Sequence, residues 1–189
     1  MIIIATTALL AFIVAEIAVY AWHRWISHAG LLWWFANDVF RQRHFHHHFE
    51  QYPPHRLRAD AYVPSWDITF GGVEVLLIGA ITTLMLTDAI RPAILLGAVS
   101  GIALHAALAV AFHNMCHKSE EIVMRWRPLR LDSVSTMLAR IRRFHDAHHI
   151  GPGNYSLIIP LVDIVGRSTA ESPSDPTHIE NELFPGFCR

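Results

Sequence analysis

A chain of 189 residues, 52% hydrophobic and with a formal net charge of −1, is long enough for one domain and gives no reason to expect nucleic acid as a partner. Two cysteines exclude a disulfide scaffold and a thiolate zinc site, so imidazole is left as the metal ligand. Histidine is the outlier: there are 14, against 15 Lys plus Arg and 16 Asp plus Glu.

The first element, Ile2 to Trp22, reads IIIATTALLAFIVAEIAVYAW with Glu16 as its one charge. It lacks the basic start and small-residue cleavage site of a signal peptide. At about 1.5 Å per residue it is long enough for the roughly 30 Å hydrocarbon core of a bilayer. LLWWFANDVF (31–40) is too short to cross and is expected to lie at the interface, with Trp33 and Trp34 at headgroup depth. Two further spans are expected, from about Thr69 to Ile90 and from about Pro92 to Asn114, joined by the short turn TDAIRP. LDSVSTMLARIRRFH (131–145) sets Leu131, Val134, Leu138 and Ile141 at helical spacing and predicts an amphipathic helix. The expectation is an all-α integral membrane protein with about three transmembrane helices plus interfacial helices. It forms one membrane-embedded domain over 1–171, with a polar tail at 172–189.

Basic residues fall almost entirely between His23 and Asp67 and after His117, leaving only Arg91 for the far side. That bias puts both large segments in the cytoplasm, and the histidines with them, apart from His105 inside the third span.

The histidines come in four groups: HRWISH with His23 and His28, HFHHH with His44, His47 and His48, HNMCH with His113 and His117, and HDAHH with His145, His148 and His149. Residues three or four apart share a helix face, so each group can bring two rings to one centre. Adjacent histidines differ by about 100° and more naturally serve different ions, so two H-x-x-H-H boxes suit two neighbouring metals. The five-residue spacing of His23 and His28 spans about 140° on a regular helix, which requires the helix to end or loosen there, or two separate metals. Imidazole serves iron, copper, nickel and zinc alike.

These four motifs, in this order, resemble those of the fatty acid hydroxylase/sterol desaturase superfamily of membrane-bound di-iron enzymes. The resemblance covers about His23 to Gly166. GNYSLIIPLVDIVG (153–166) looks like the segment that follows the last box in fatty acid hydroxylases, although Gly166-Arg167 stands where that family usually has Gly-Thr. Size and layout are also similar to bacterial β-carotene hydroxylases, with a longer gap between the first two boxes. The resemblance implies two Fe ions held by His23, His28, His44, His47, His48, His113, His117, His145, His148 and His149, with zinc as a substitute in purified protein. It implies O2 as co-substrate, hydroxylation or desaturation of a lipid-like substrate, and a bacterial inner membrane as location. Fatty-acyl, sterol-like and carotenoid substrates all fit; Asn154-Tyr155 favours a fatty-acyl chain. No haem, flavin or iron–sulfur motif is present, so a ferredoxin or reductase is expected as external electron donor.

Glu16, seven residues before His23, lies on the helix face leading to the metal. It is read either as a packing hydrogen bond or as a group that supports the metal or delivers protons. Asp146 and Asn154 flank the last box and are candidates to orient imidazoles through their outer nitrogen, with Tyr155 and Asp163 as weaker ones. His46 is expected at the surface, His105 as a buried hydrogen-bonded ring, His55 and His178 in solvated loops, and Cys116 as a small apolar filler. A metal transporter would favour polar ligands at mid-membrane, where only Glu16 and His105 are expected. A zinc hydrolase needs three histidines, not ten.

Overall fold

The computed structural model describes residues 1–31, 41–58, 68–86, 91–118, 132–156 and 158–169. Every element among them is helical. Helix α1 (Ile2–Ala21) runs without a break into a π-helical turn, π1 (Trp22–His28). A short α2 (Gln42–His46) passes likewise into π2 (His47–Gln51). Then come α3 (Ile68–Leu86), α4 (Pro92–Cys116), α5 (Asp132–Ile150) and the single turn α6 (Leu161–Val165). The expected interfacial helix over 31–40, apart from Leu31, and the tail from 172 lie outside the described residues.

Local chemistry accounts for the long elements. α1 has neither Gly nor Pro in its apolar run. α4 starts with Pro92 in its first turn after an extended Arg91, where a missing N–H costs nothing. α4 lies against α1 because Gly97 and Gly101, four apart, leave room for it. A Cβ at Gly97 would stand 2.6 Å from the Ile4 carbonyl oxygen, and one at Gly101 would collide with the Ala8 carbonyl.

Two helices are long and apolar enough to cross a membrane: the continuous Ile2–His28, of 27 residues, and Pro92–Cys116, of 25. The third expected span corresponds to α3, whose described apolar stretch, Val73–Leu84, falls short of a crossing. Leu9, Leu10, Val14 and Ile17 on α1, Val75 and Leu76 on α3, and Leu96 and Leu104 on α4 are exposed. So large an exposed apolar surface is what a lipid-facing helix carries. The buried interior is unusual in its chemistry. Among the largest fully buried side chains only Ile102 is aliphatic; the others are His23, His28, His44, His48, His105, His117, His148 and His149.

Candidate metal centre

Burying that many imidazoles is costly unless each polar nitrogen finds a partner. The structure sorts them into two groups. His23, His28, His44, His48 and His148 bring five ring nitrogens within 4.8 Å of one another, and His47, His117, His145 and His149 bring four together in the same way. His113 Nε2 stands 3.1 Å from His47 Nε2, at the edge of the second group. All ten expected ligands therefore converge. The groups adjoin, with the His48 and His149 rings stacked 4.1 Å apart.

The sequence spacings explain the sorting. His44 and His48, and His145 and His149, lie four apart on one helix face and share a group. The adjacent pairs split: His47 and His148 go to the opposite group from His48 and His149, respectively. His23 and His28 share a site because the helix between them loosens. In a π-helix residue i bonds to i+5, and that wider winding narrows the angle between positions five apart.

Hydrogen bonding decides what the nitrogens can do. A carbonyl oxygen only accepts, so a ring nitrogen bonded to one must carry the proton. His23 Nδ1 donates to the Tyr155 carbonyl and His148 Nδ1 to the Gly153 carbonyl, both at 2.7 Å. In the second group His117 Nδ1 donates to Leu57 at 3.1 Å and His149 Nδ1 to Tyr52 at 3.2 Å. In the neutral ring each Nε2 is then a bare lone pair, directed at its neighbours' Nε2 atoms. Lone pairs crowded at one point repel unless a cation lies among them.

The spacings fit such an ion. His44 Nε2 stands 2.9 Å from His23 and His28 and 3.1 Å from His48, and His28 Nε2 is 3.2 Å from His148. Ligands on bonds of about 2.1 Å lie about 3.0 Å apart at right angles and about 3.4 Å apart at a tetrahedral angle. Five nitrogens at the shorter spacing suit a coordination number above four. The residues present fit two metal ions held by imidazole alone.

Protonation would close the site. Burial, reinforced by repulsion from His44, pushes His148 down to about 3, and burial with repulsion from His113 pushes His117 down to about 2. His47, His48, His145 and His149 are all lowered well below the ordinary value, burial again being the largest cause. Unfolded, these rings titrate near about 6.5, so below that pH the unfolded chain binds more protons than the folded one. Stability is full above the unfolded value and falls as pH drops from there toward the folded values. Thermal unfolding of the metal-free protein in detergent is expected to shift to lower temperature between pH 7.5 and pH 5.

Asp146 bonds to an arginine and Asn154 to a backbone carbonyl. Asp146 binds Arg58 at 2.8 and 2.6 Å, and Arg58 also donates to the Leu57 carbonyl, which in turn takes the His117 N–H. Asn154 donates to the Phe144 carbonyl at 3.1 Å and holds a left-handed backbone, φ 55°, next to Gly153 at φ 124°. Glu16 bonds to His105 rather than to a metal group. Tyr155 lays its ring 5.2 Å from that of His28 and 5.4 Å from that of His148. Asp163 is fully buried and accepts from the N–H groups of Tyr155 and Ser156. His46 is exposed and pairs with Glu50; His55 is exposed; Cys116 is buried; His178 lies outside the described residues.

Comparisons with protein-family models, with curated proteins and with solved structures give no match.

One polar residue escaped the sequence reading. Glu74, buried on α3, bonds to His105 and adds a second carboxylate to the two polar groups expected inside the spans. The signal was present, since a glutamate inside FGGVEVLL (70–77) is as anomalous as Glu16.

Proposed function

We propose that the chain is a membrane-bound non-haem di-iron oxygenase that hydroxylates an unactivated C–H bond of a lipid-like substrate. The single observation that carries this reading is the pair of adjoining all-imidazole groups, buried at one end of an apolar helix pair. Two iron ions, when bound, supply the redox chemistry by which O2 attacks such a bond. The balance is one C–H converted to C–OH and one water released, with two electrons and two protons taken up. The chain has no electron-carrying group of its own motif, so both electrons come from a separate donor such as a ferredoxin or reductase. The ten histidines hold the metals, the carbonyls of Tyr155, Gly153, Leu57 and Tyr52 fix four of the rings, and the apolar surroundings keep bulk water out.

A lipid-like substrate is supported by a largely apolar groove of about 470 Å³ along α1, lined by Ile13, Glu16, Ile17, Tyr20, Ala21 and Trp25 and bordered by α6. Its size falls in the range of roughly 300–1,000 Å³ usual for ligand sites. Tyr20 is 6.3 Å from Tyr155, whose ring faces the five-histidine group. Ala21→Trp, filling the groove, is expected to lower turnover about tenfold or more while metal content stays unchanged. Unchanged turnover would move the substrate to the cavity of about 740 Å³ between α4 and α5, where Phe112 and Phe144 precede His113 and His145.

The test is anaerobic iron reconstitution with a reductant system, followed by exposure with lipid extracts to ¹⁸O₂ and mass spectrometry. A labelled alcohol supports hydroxylation. Unlabelled loss of two hydrogens makes the chain a desaturase with the same ligands, and no change in any lipid counts against both.

A metal transporter is the second reading, because Glu16, His105 and Glu74 meet within the crossing bundle. Against it, the two carboxylates bond to opposite edges of the His105 ring, Nε2 and Nδ1, so the three share no point for an ion. Metal uptake by proteoliposomes would favour transport.

A further inference from the structure

The Glu16–His105–Glu74 cluster is unexplained by metal ligation, and its cost is high. His105 is 0% exposed, Glu16 1% and Glu74 3%, inside helices whose outer faces are apolar. Ionisable groups in such surroundings persist when they are tied to one another and to something that matters. His105 Nε2 bonds to Glu16 Oε2 at 2.7 Å and Nδ1 to Glu74 Oε1 at 3.1 Å, with Phe12 edge-on to the ring. The other Glu16 oxygen, Oε1, leaves the cluster: it accepts the backbone N–H of Ile159 at 3.0 Å and of Ile158 at 3.3 Å.

Those two amides belong to the segment that fixes the five-histidine group. Three residues before Ile158 is Tyr155, whose carbonyl takes the His23 N–H; two further back is Gly153, whose carbonyl takes the His148 N–H. Asp163 holds the same segment by the amides of Tyr155 and Ser156, at 2.8 and 2.7 Å. The four-histidine group is fixed elsewhere, by the carbonyls of Tyr52 and Leu57, on a segment held by the Arg58–Asp146 pair. The two sites thus have separate supports.

We infer that Glu16, His105 and Glu74 are positioning residues for the five-histidine site alone, acting from within the helix bundle through the amides of Ile158 and Ile159 on the segment that carries Gly153 and Tyr155. His105 locks the Glu16 carboxylate in place, Glu74 locks His105, and Glu16 sets the carbonyls that orient His23 and His148. The inference rests on the metal-centre reading, and its test separates the two.

Full-length protein in detergent is loaded with Co(II), and metal content and absorption spectrum are recorded. The wild-type chain is expected to take up about two ions; no uptake would overturn both the metal reading and this inference. Glu16→Ala is expected to retain about one ion, with the spectrum of the His148→Ala protein and not that of His149→Ala. Glu16→Gln, which keeps an oxygen for the two amides, is expected to restore the second ion. Full occupancy with the wild-type spectrum in Glu16→Ala, or equal loss from both sites, would overturn the inference. Should Glu16→Ala not fold, His105→Asn unties Glu16 from Glu74 while leaving Glu16 itself intact. It is expected to weaken one ion about tenfold or more and leave the other unchanged; equal weakening of both would be contrary.

Discussion

His148→Ala is expected to remove one bound ion and His149→Ala the other, although the two residues are neighbours in sequence. His148 Nε2 sits with His23, His28, His44 and His48, whereas His149 Nε2 sits with His47, His117 and His145. A ligand lost from a buried site leaves the remaining lone pairs without full compensation, so each variant should drop from about two ions per chain to about one. Turnover should fall roughly a hundredfold or more in both, since losing even an outer partner of a metal ligand costs about 10–100-fold. The informative comparison is spectroscopic. The retained ions lie among different rings, five close-set imidazoles in one site and four with His113 at their edge in the other, so the two variants should give different spectra. Identical spectra would mean that the rings share one mixed site. His46→Ala is the control, because that ring is exposed and bonded to Glu50; it should leave metal and turnover as they were.

Gly101→Leu has the largest expected effect on the fold. Even a Cβ there collides with the Ala8 carbonyl of α1, a backbone atom that no rotamer change can move. Overpacking that side chains can absorb costs typically about 1–3 kcal/mol; here the helices must part, and α1 carries π1 with His23 and His28. The variant should lose both its melting transition and its metal. Gly79→Ala on α3 is the matched control: a Cβ there meets nothing within 4 Å, and replacing a mid-helix glycine gains about 0.5–1 kcal/mol. Thermal unfolding of the two proteins in the same detergent makes the comparison. Equal melting temperatures would mean that the close approach of α1 and α4 does not hold the bundle together.

What was legible in the sequence is the part that depends on helical spacing. The 100° step per residue was enough to send His47 and His48, and His148 and His149, to different groups. The five-residue gap between His23 and His28 called for the helix to end or loosen, or for two separate metals, and π1 is the loosening. Less visible were the atoms that orient the rings. Asp146 and Asn154 were reasonable candidates by type and place, yet the four acceptors found are backbone carbonyls, which every residue possesses and no motif marks. Asp146 acts one step away, through Arg58, 88 positions earlier in the chain, a pairing that only the folded chain reveals. Glu74 was readable in principle, but its partner His105 lies 31 residues away on another helix. Crossing number was less secure than composition implied: α1 with π1, and α4, have the length, while the described apolar part of α3 does not.

The most direct measurement is iron content and X-ray absorption of the full chain after anaerobic reconstitution. The proposed di-iron centre requires close to two irons per chain, a nitrogen-dominated ligand shell, and loss of one iron in each of the two neighbouring-histidine variants. Less than one iron per chain, or binding that survives loss of both His148 and His149, would contradict it.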